Sequence, residues 1–180
     1  MRRSWSATLS CVGILTVAIG IASAQSAAQP TGDHDFVSRA AMSNMAAIQL
    51  GHLATKQAQR ADVKEFAQAT IEDHLKAQKQ LADAASGAGI RWPTKLDDKY
   101  RQIEQRLSKL GNDQFDREYM QTMIDRDRDV EKMLAARASG GGETETLAAK
   151  VNQWAAATLP EVRAHLKEAE QVLAQIGKGE

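Results

Sequence analysis

From Asp33 onward, apolar and small residues return at every third or fourth position, and charged residues fill the intervals. In residues 62–87 the positions Val63, Ala67, Thr70, His74, Ala77 and Leu81 fall on one line. In 113–138 the line is Met120, Met123, Asp127, Val130 and Leu134. In 143–177 it is Leu147, Val151, Trp154 and Thr158, then His165, Ala169, Val172 and Ile176. Steps of three and four place side chains on one face of a helix with 3.6 residues per turn. Ala, Gln, Lys, Glu and Leu dominate, which favours helix throughout. Breakers divide the run: a weak stop near Gln59-Arg60, then Gly87, Gly89 and Pro93, the Gly111-Asn112 turn, and Ser139-Gly140-Gly141-Gly142. The pattern predicts helices near 33–59, 62–87, 95–109, 113–138 and 143–177. Four long amphipathic helices and one short one, with short connections, predict an all-α antiparallel bundle.

Pro160 is the exception inside this pattern. It removes a backbone donor and clashes with the preceding turn, so a helix running through it should kink. A fresh start is the alternative, because Thr158 and Glu161 have capping-box spacing and proline suits a first turn. The buried stripe keeps its phase from Trp154 to His165, which favours one kinked helix.

Three ionisable residues stand on inward faces: His74, Asp127 and His165. Imidazoles and carboxylates from facing helices are the groups with which a bundle holds a metal in its core. Neutral histidine suits zinc, copper and iron, and a carboxylate adds hard-oxygen character. Glu161, one turn before His165, is the fourth candidate ligand, and Asp73 is a candidate outer partner for an imidazole. The competing structural reading gives each histidine a hydrogen bond instead. It also places Asp127, within the DRDRD run of 125–129, on a solvated face with ion pairs. No Glu-x-x-His pair of the di-iron type occurs, because Ile71 and Val162 stand three residues before the histidines. His34 belongs with the first helix cap, for which Asp33 is the expected capping group. His52, in the middle of the first helix, is expected to be partly exposed. Met42, Met45, Met120, Met123 and Met133 could suggest copper but are read as core fillers. Trp92 is expected over the end of the second helix. No phosphate loop, nucleophile elbow or Ser/His/Asp pattern appears.

The N-terminus adds a compartment. Arg2 and Arg3, an apolar run to Ile21 and Ala22-Ser23-Ala24 have the order of a signal peptide cleaved near Ala24-Gln25. The predicted organisation is a signal peptide at 1–24, a mobile leader at 25–32 and a single helical domain at 33–178. Cleavage takes 24 residues from 180 and leaves 156, enough for one domain with a sizeable core. It also removes Cys11, the one cysteine, so stability rests on packing rather than disulfides. Of the 23 basic and 23 acidic residues, only Arg2 and Arg3 lie in the signal peptide, so the formal mature charge is 21 minus 23, or −2. Mixed, near-neutral charge argues against nucleic acid and against an anionic lipid surface. No membrane span is expected after cleavage.

The segments FVSRAAMSNMAAIQLGHLA at 36–54, VKEFAQATIEDHLKAQKQL at 63–81, FDREYMQTMIDRD at 115–127 and LPEVRAHLKEAEQVL at 159–173 resemble the domain of unknown function 4142 family. That family is bacterial, exported and ferritin-like. The resemblance implies an up-and-down four-helix core with a short extra helix, and no established reaction. His74 and His165 match its histidines. Ala47 stands where members usually have glutamate, Gln49 where another acidic or amide group is common, and Asp127 where histidine is common. If that site were a metal centre, it would be degenerate here.

The reading that follows is an exported, periplasmic or secreted, non-enzymatic ferritin-like bundle that acts as a binding or stress-protective module. Its partner would be an envelope component or a small ligand, and a homo-oligomer is compatible with the sequence. The alternative is a metal-binding redox or storage protein using iron, zinc or copper at His74, Asp127, His165 and Glu161.

Overall fold

A computed structural model describes residues 32–140 and 146–177. The expected signal peptide and almost all of the expected leader, as well as Gly141 and Gly142 of the linker, lie outside the described residues. Those residues form helices and connections, with no strand among them. The helices are α1 (Asp33–Gln57), α2 (Ala61–Ala84), α3 (Asp98–Leu107), α4 (Asn112–Ala138) and α5 (Leu147–Ile176).

Side-chain pairings give the directions. Asn44 meets His74, whereas Gly51 lies against Ala67 and Ile71, so α1 and α2 are antiparallel. Arg128 pairs with Glu170 and Glu131 with Arg163, so α4 and α5 are antiparallel. Asp73 meets His165 and Ala77 meets Trp154, which makes α2 and α5 antiparallel as well. Phe66 packs on Tyr119 and His74 faces Arg126, so the diagonal pair α2 and α4 run parallel.

Parallel α2 and α4 require the chain to return along the bundle between them. Residues 85–111 make that crossover, and α3 is its helical part. Gly87 and Gly89 end α2 at φ +77° and +66°, a left-handed geometry that glycine adopts without a Cβ penalty. The Asp97 side chain then caps α3 by accepting from Tyr100 N at 2.9 Å. Arg106 reaches Glu118, and Lys99 reaches Asp129, so α3 lies antiparallel along α4. Gln57 of α1 donates to the carbonyl of Leu110, closing the other side. A four-helix core with one long crossover is the ferritin-like arrangement. It differs from a plain up-and-down bundle at this connection.

Every position on the α2 and α4 stripes is buried, and on α5 all but the half-buried Leu147 are. The helix α5 runs unbroken through Pro160, with Thr158 and Val162 buried on either side of it. It begins after Thr146, whose hydroxyl caps Ala149 N, later than the sequence pattern suggested. Asp33 does not cap α1: the N-cap is Gly32, and Asp33 pairs with Arg137 of α4 instead. Asp116 of α4 is a turn-holding group that periodicity alone could not reveal. Its buried carboxylate accepts from the backbone N–H groups of Gln59 and Arg60, fixing the α1–α2 turn.

The apolar core is in two parts. One joins Leu50, Phe66, Phe115, Tyr119, Met120 and Val172. The other joins Phe36, Val37, Leu81, Leu134, Trp154 and Val162. Trp154 donates its indole N–H to the Ala77 carbonyl at 3.1 Å, and Trp92 packs against the second part near the end of α2. Between the two lies a polar layer built from Ser43, Asn44, Thr70, His74, Arg126, Asp127, Thr158 and His165.

Gly51 measures how tightly α1 and α2 meet. A Cβ there would come within 2.7 Å of Ile71 Cγ1 and 3.2 Å of the Ala67 carbonyl. Overpacking of this kind costs about 1–3 kcal/mol, while Gly→Ala gains up to about 1 kcal/mol in helix propensity. Gly51→Ala should therefore lose about 1–2 kcal/mol in urea unfolding. An equally stable variant would mean that the two helices separate freely.

Candidate functional site

The polar layer starts from two histidines on facing helices. His74 is 3% exposed and its ring lies 5.6 Å, centroid to centroid, from that of His165. His74 Nδ1 lies 2.9 Å from Asn44 Oδ1 of α1. A carbonyl oxygen can only accept, so Nδ1 bears the proton and Nε2 presents its lone pair. Arg126 Nη2 meets that lone pair at 3.4 Å. The same Nη2 donates to the carbonyl oxygen of Ser43 at 3.0 Å and to its hydroxyl at 3.2 Å. Arg126 Nη1 donates to Asp127 Oδ1.

Burial pushes the His74 imidazole well below its ordinary range, and Arg126 and His165 push it further the same way. A neutral ring is what the hydrogen bonds also require. Burial raises the Asp127 carboxyl, and Arg126 and then His165 partly oppose that shift. The Tyr119 phenol beside this layer is raised chiefly by burial.

His165 is held from outside. Its Nε2 donates to Asp73 Oδ2 at 2.9 Å, and Asp73 is half-exposed at the surface. Its Nδ1 faces the interior and has no hydrogen-bond partner among the described residues; Asp127 Oδ2, Tyr119 Oη and Thr158 Oγ1 share that state. A cavity of about 10 Å³, the size of one water, is lined by Asp73, His74, Thr158, Glu161 and His165. Glu161 stands at its rim and pairs with Lys76 at 3.3 Å on the surface.

Of the sequence candidates, the fold thus brings His74, Asp127 and His165 to one layer and leaves Glu161 outside. Among the described residues, no three His, Cys, Asp or Glu side chains converge closely enough to hold a metal ion. Asp127 is not on a solvated face: it is fully buried, and so is Arg126 beside it at 5% exposure. His34 and His52 are exposed. Met120 and Met123 fill one core, whereas Met42 and Met133 line an outer groove, so the methionines are not one set. That groove, about 510 Å³, lies between α1, the start of α3, and α4, and also includes Ser43, Tyr100 and Val130. Arg126, Asn44 and Ser43 are the site residues that the sequence pattern did not single out. Arg126 sits three residues after Met123 and four before Val130, a spacing that puts it on the buried stripe beside Asp127.

The chain belongs to the family described as Domain of unknown function (DUF4142), which matches residues 20–172. No curated protein matches it. Two solved structures are similar in fold. One is a DUF305 protein from Streptomyces coelicolor, named as a candidate secreted protein. It has a TM-score of 0.67 at 11% identity, covering 81% of this chain and 92% of that one. The other is a DUF305 fragment from Deinococcus radiodurans, with a TM-score of 0.64 at 17% identity, covering 81% and 98%. At these identities the likeness concerns the fold alone.

Removing the cation tests how the layer is balanced. Arg126→Ala leaves Asp127 buried without its partner and should cost about 3–5 kcal/mol. Combining Arg126→Met with Asp127→Leu should restore stability to within about 1 kcal/mol of the natural chain, or exceed it. Equal losses in the single and double variants, read by urea titration of helical circular dichroism, would refute the pairing.

The layer should also respond to pH. The folded state holds His74 below its ordinary value of 6.5, so the unfolded chain binds more protons just below that pH. Stability should therefore fall as pH drops below 6.5, with a slope of up to about 1.4 kcal/mol per pH unit. Asp127 works in the opposite sense. Its carboxyl is raised above 3.8, so falling pH relieves a penalty and blunts the loss. His74→Gln should flatten the acid slope, and Asp127→Asn should steepen it, in thermal melts between about pH 7 and pH 4.

Proposed function

We propose that this chain, as a member of that family, is an exported, non-enzymatic helical-bundle module that binds through its outer faces. Its polar centre serves the fold. One observation carries the reading: the Arg126 guanidinium occupies the middle of the layer, where it takes the inward nitrogen of His74 and an oxygen of Asp127. The cavity beside the two histidines is water-sized, too small to admit a substrate. The groove of about 510 Å³ between α1, α3 and α4 falls in the range of small-ligand sites, which supports binding at the surface.

Export to the periplasm or beyond is supported by the basic and apolar order of residues 1–24. The secreted naming of the Streptomyces structure is in keeping with it. No helix among the described residues is long and apolar enough to cross a membrane.

The second reading is a transition-metal redox or storage centre at His74, Asp127 and His165, with Glu161 at its edge. What favours it is that His165 Nδ1 and Asp127 Oδ2 are buried and unpartnered among the described residues. Metal analysis of the mature, untagged protein separates the two. We expect substoichiometric metal and unchanged melting with iron, zinc, copper or manganese. Stoichiometric metal, with a melting shift lost in His74→Ala, would establish the second reading instead.

A further inference from the structure

We infer that the Arg126 guanidinium is the resident cation of this bundle, and that removing it converts the layer into a two-histidine, one-carboxylate site for a divalent first-row metal ion. The inference rests on the proposed reading that the natural chain is metal-free, and assigns Arg126 as the residue responsible.

The groups around the guanidinium are metal-ligand types. They are an imidazole nitrogen from His74, a carboxylate oxygen from Asp127, and the hydroxyl and carbonyl of Ser43. More telling is how both histidines are held. A metal-ligating histidine fixes its free nitrogen by donating the outer ring N–H to a carbonyl or carboxylate. His74 donates Nδ1–H to the Asn44 side-chain oxygen at 2.9 Å and turns Nε2 toward the centre. His165 gives Nε2–H to the Asp73 carboxylate at 2.9 Å and turns Nδ1 inward, where it has no partner among the described residues. Asp127 keeps a second buried oxygen in the same state. Two oriented imidazoles and one carboxylate form the donor set used by divalent iron, cobalt and zinc.

Arginine excludes such an ion in two ways. Its nitrogens already take one lone pair from His74 and one oxygen of Asp127, the atoms an ion would need. It also cannot shed its charge, so a divalent ion would have to enter beside a fixed cation in a medium of low dielectric. With Arg126 gone, Asp127 becomes a buried, unpaired carboxyl, and a metal ion would supply the missing positive charge.

Cobalt(II) is the probe, because its visible absorption reports nitrogen and oxygen coordination directly. Arg126→Ala and the bulkier, uncharged Arg126→Met are each titrated with cobalt(II) beside the natural chain. Both variants should bind one ion at least about 100-fold more tightly than the natural chain, with melting raised by about 5–10 °C at saturation. Adding His74→Ala or His165→Ala to either should abolish the bands and the shift. If a variant unfolds without metal, cobalt(II) or zinc should restore its helical circular dichroism. Variants that bind no better than the natural chain, that fail to refold with metal, or that keep their ion without both histidines overturn the inference. Stoichiometric binding by the natural chain would instead overturn the metal-free reading beneath it.

Discussion

The guanidinium of Arg126, donated by α4, is fastened to α1 through Ser43 and faces the imidazole of His74 on α2. Three of the four long helices therefore meet at one charged group in the bundle's middle. Energetics decide what this can achieve. At an effective dielectric near 20, two charges 4 Å apart attract by about 4 kcal/mol, while removing each from water costs several kcal/mol. The Arg126–Asp127 pair adds little net stability. Its effect is on register: apolar clusters lie on both sides of the layer. Sliding α4 by one turn, about 5.4 Å, would carry the guanidinium among apolar side chains with no acceptor to offer.

That register exists only because of the crossover. In a plain up-and-down bundle α2 and α4 would be antiparallel. Here residues 85–111 carry the chain back along the core, so α2 and α4 start at the same end. His74 is the fourteenth residue of α2, counted from Ala61, and Arg126 is the fifteenth of α4, counted from Asn112, so the two stand level. The crossover sets that equality, because it spans the return from the end of α2 to the start of α4, with the short helix α3 as its helical part. The anchors of α3 are the buried Leu107 and the cap at Asp97.

Much of this was legible in the residues. The α2 and α4 stripes needed only the three-and-four spacing, and His74, Asp127 and His165 fell on them because a helix repeats whatever its residues are. Arg126 had the same spacing but carried a competing signal. Alternating charge in DRDRD normally marks solvent. It is the adjacent Asp127 together with the facing Ser43 and His74, far away in the chain, that make burial tolerable there. Asn44 was hidden for a similar reason, since a small amide on a stripe of alanines gives no sign that an imidazole lies opposite. The direction of α4 relative to α2 depends on the path of residues 85–111, and periodicity within helices contains no information about it.

The two sides of Ser43 connect the interior to the surface. Its carbonyl and hydroxyl accept from Arg126, and the same residue lines the outer groove with Met42, Tyr100 and Met133. The buried layer and the groove therefore meet at Ser43 on α1. Arg126 holds that residue from within. In the function proposed above, the polar interior serves alignment and the outer faces are left to meet other molecules.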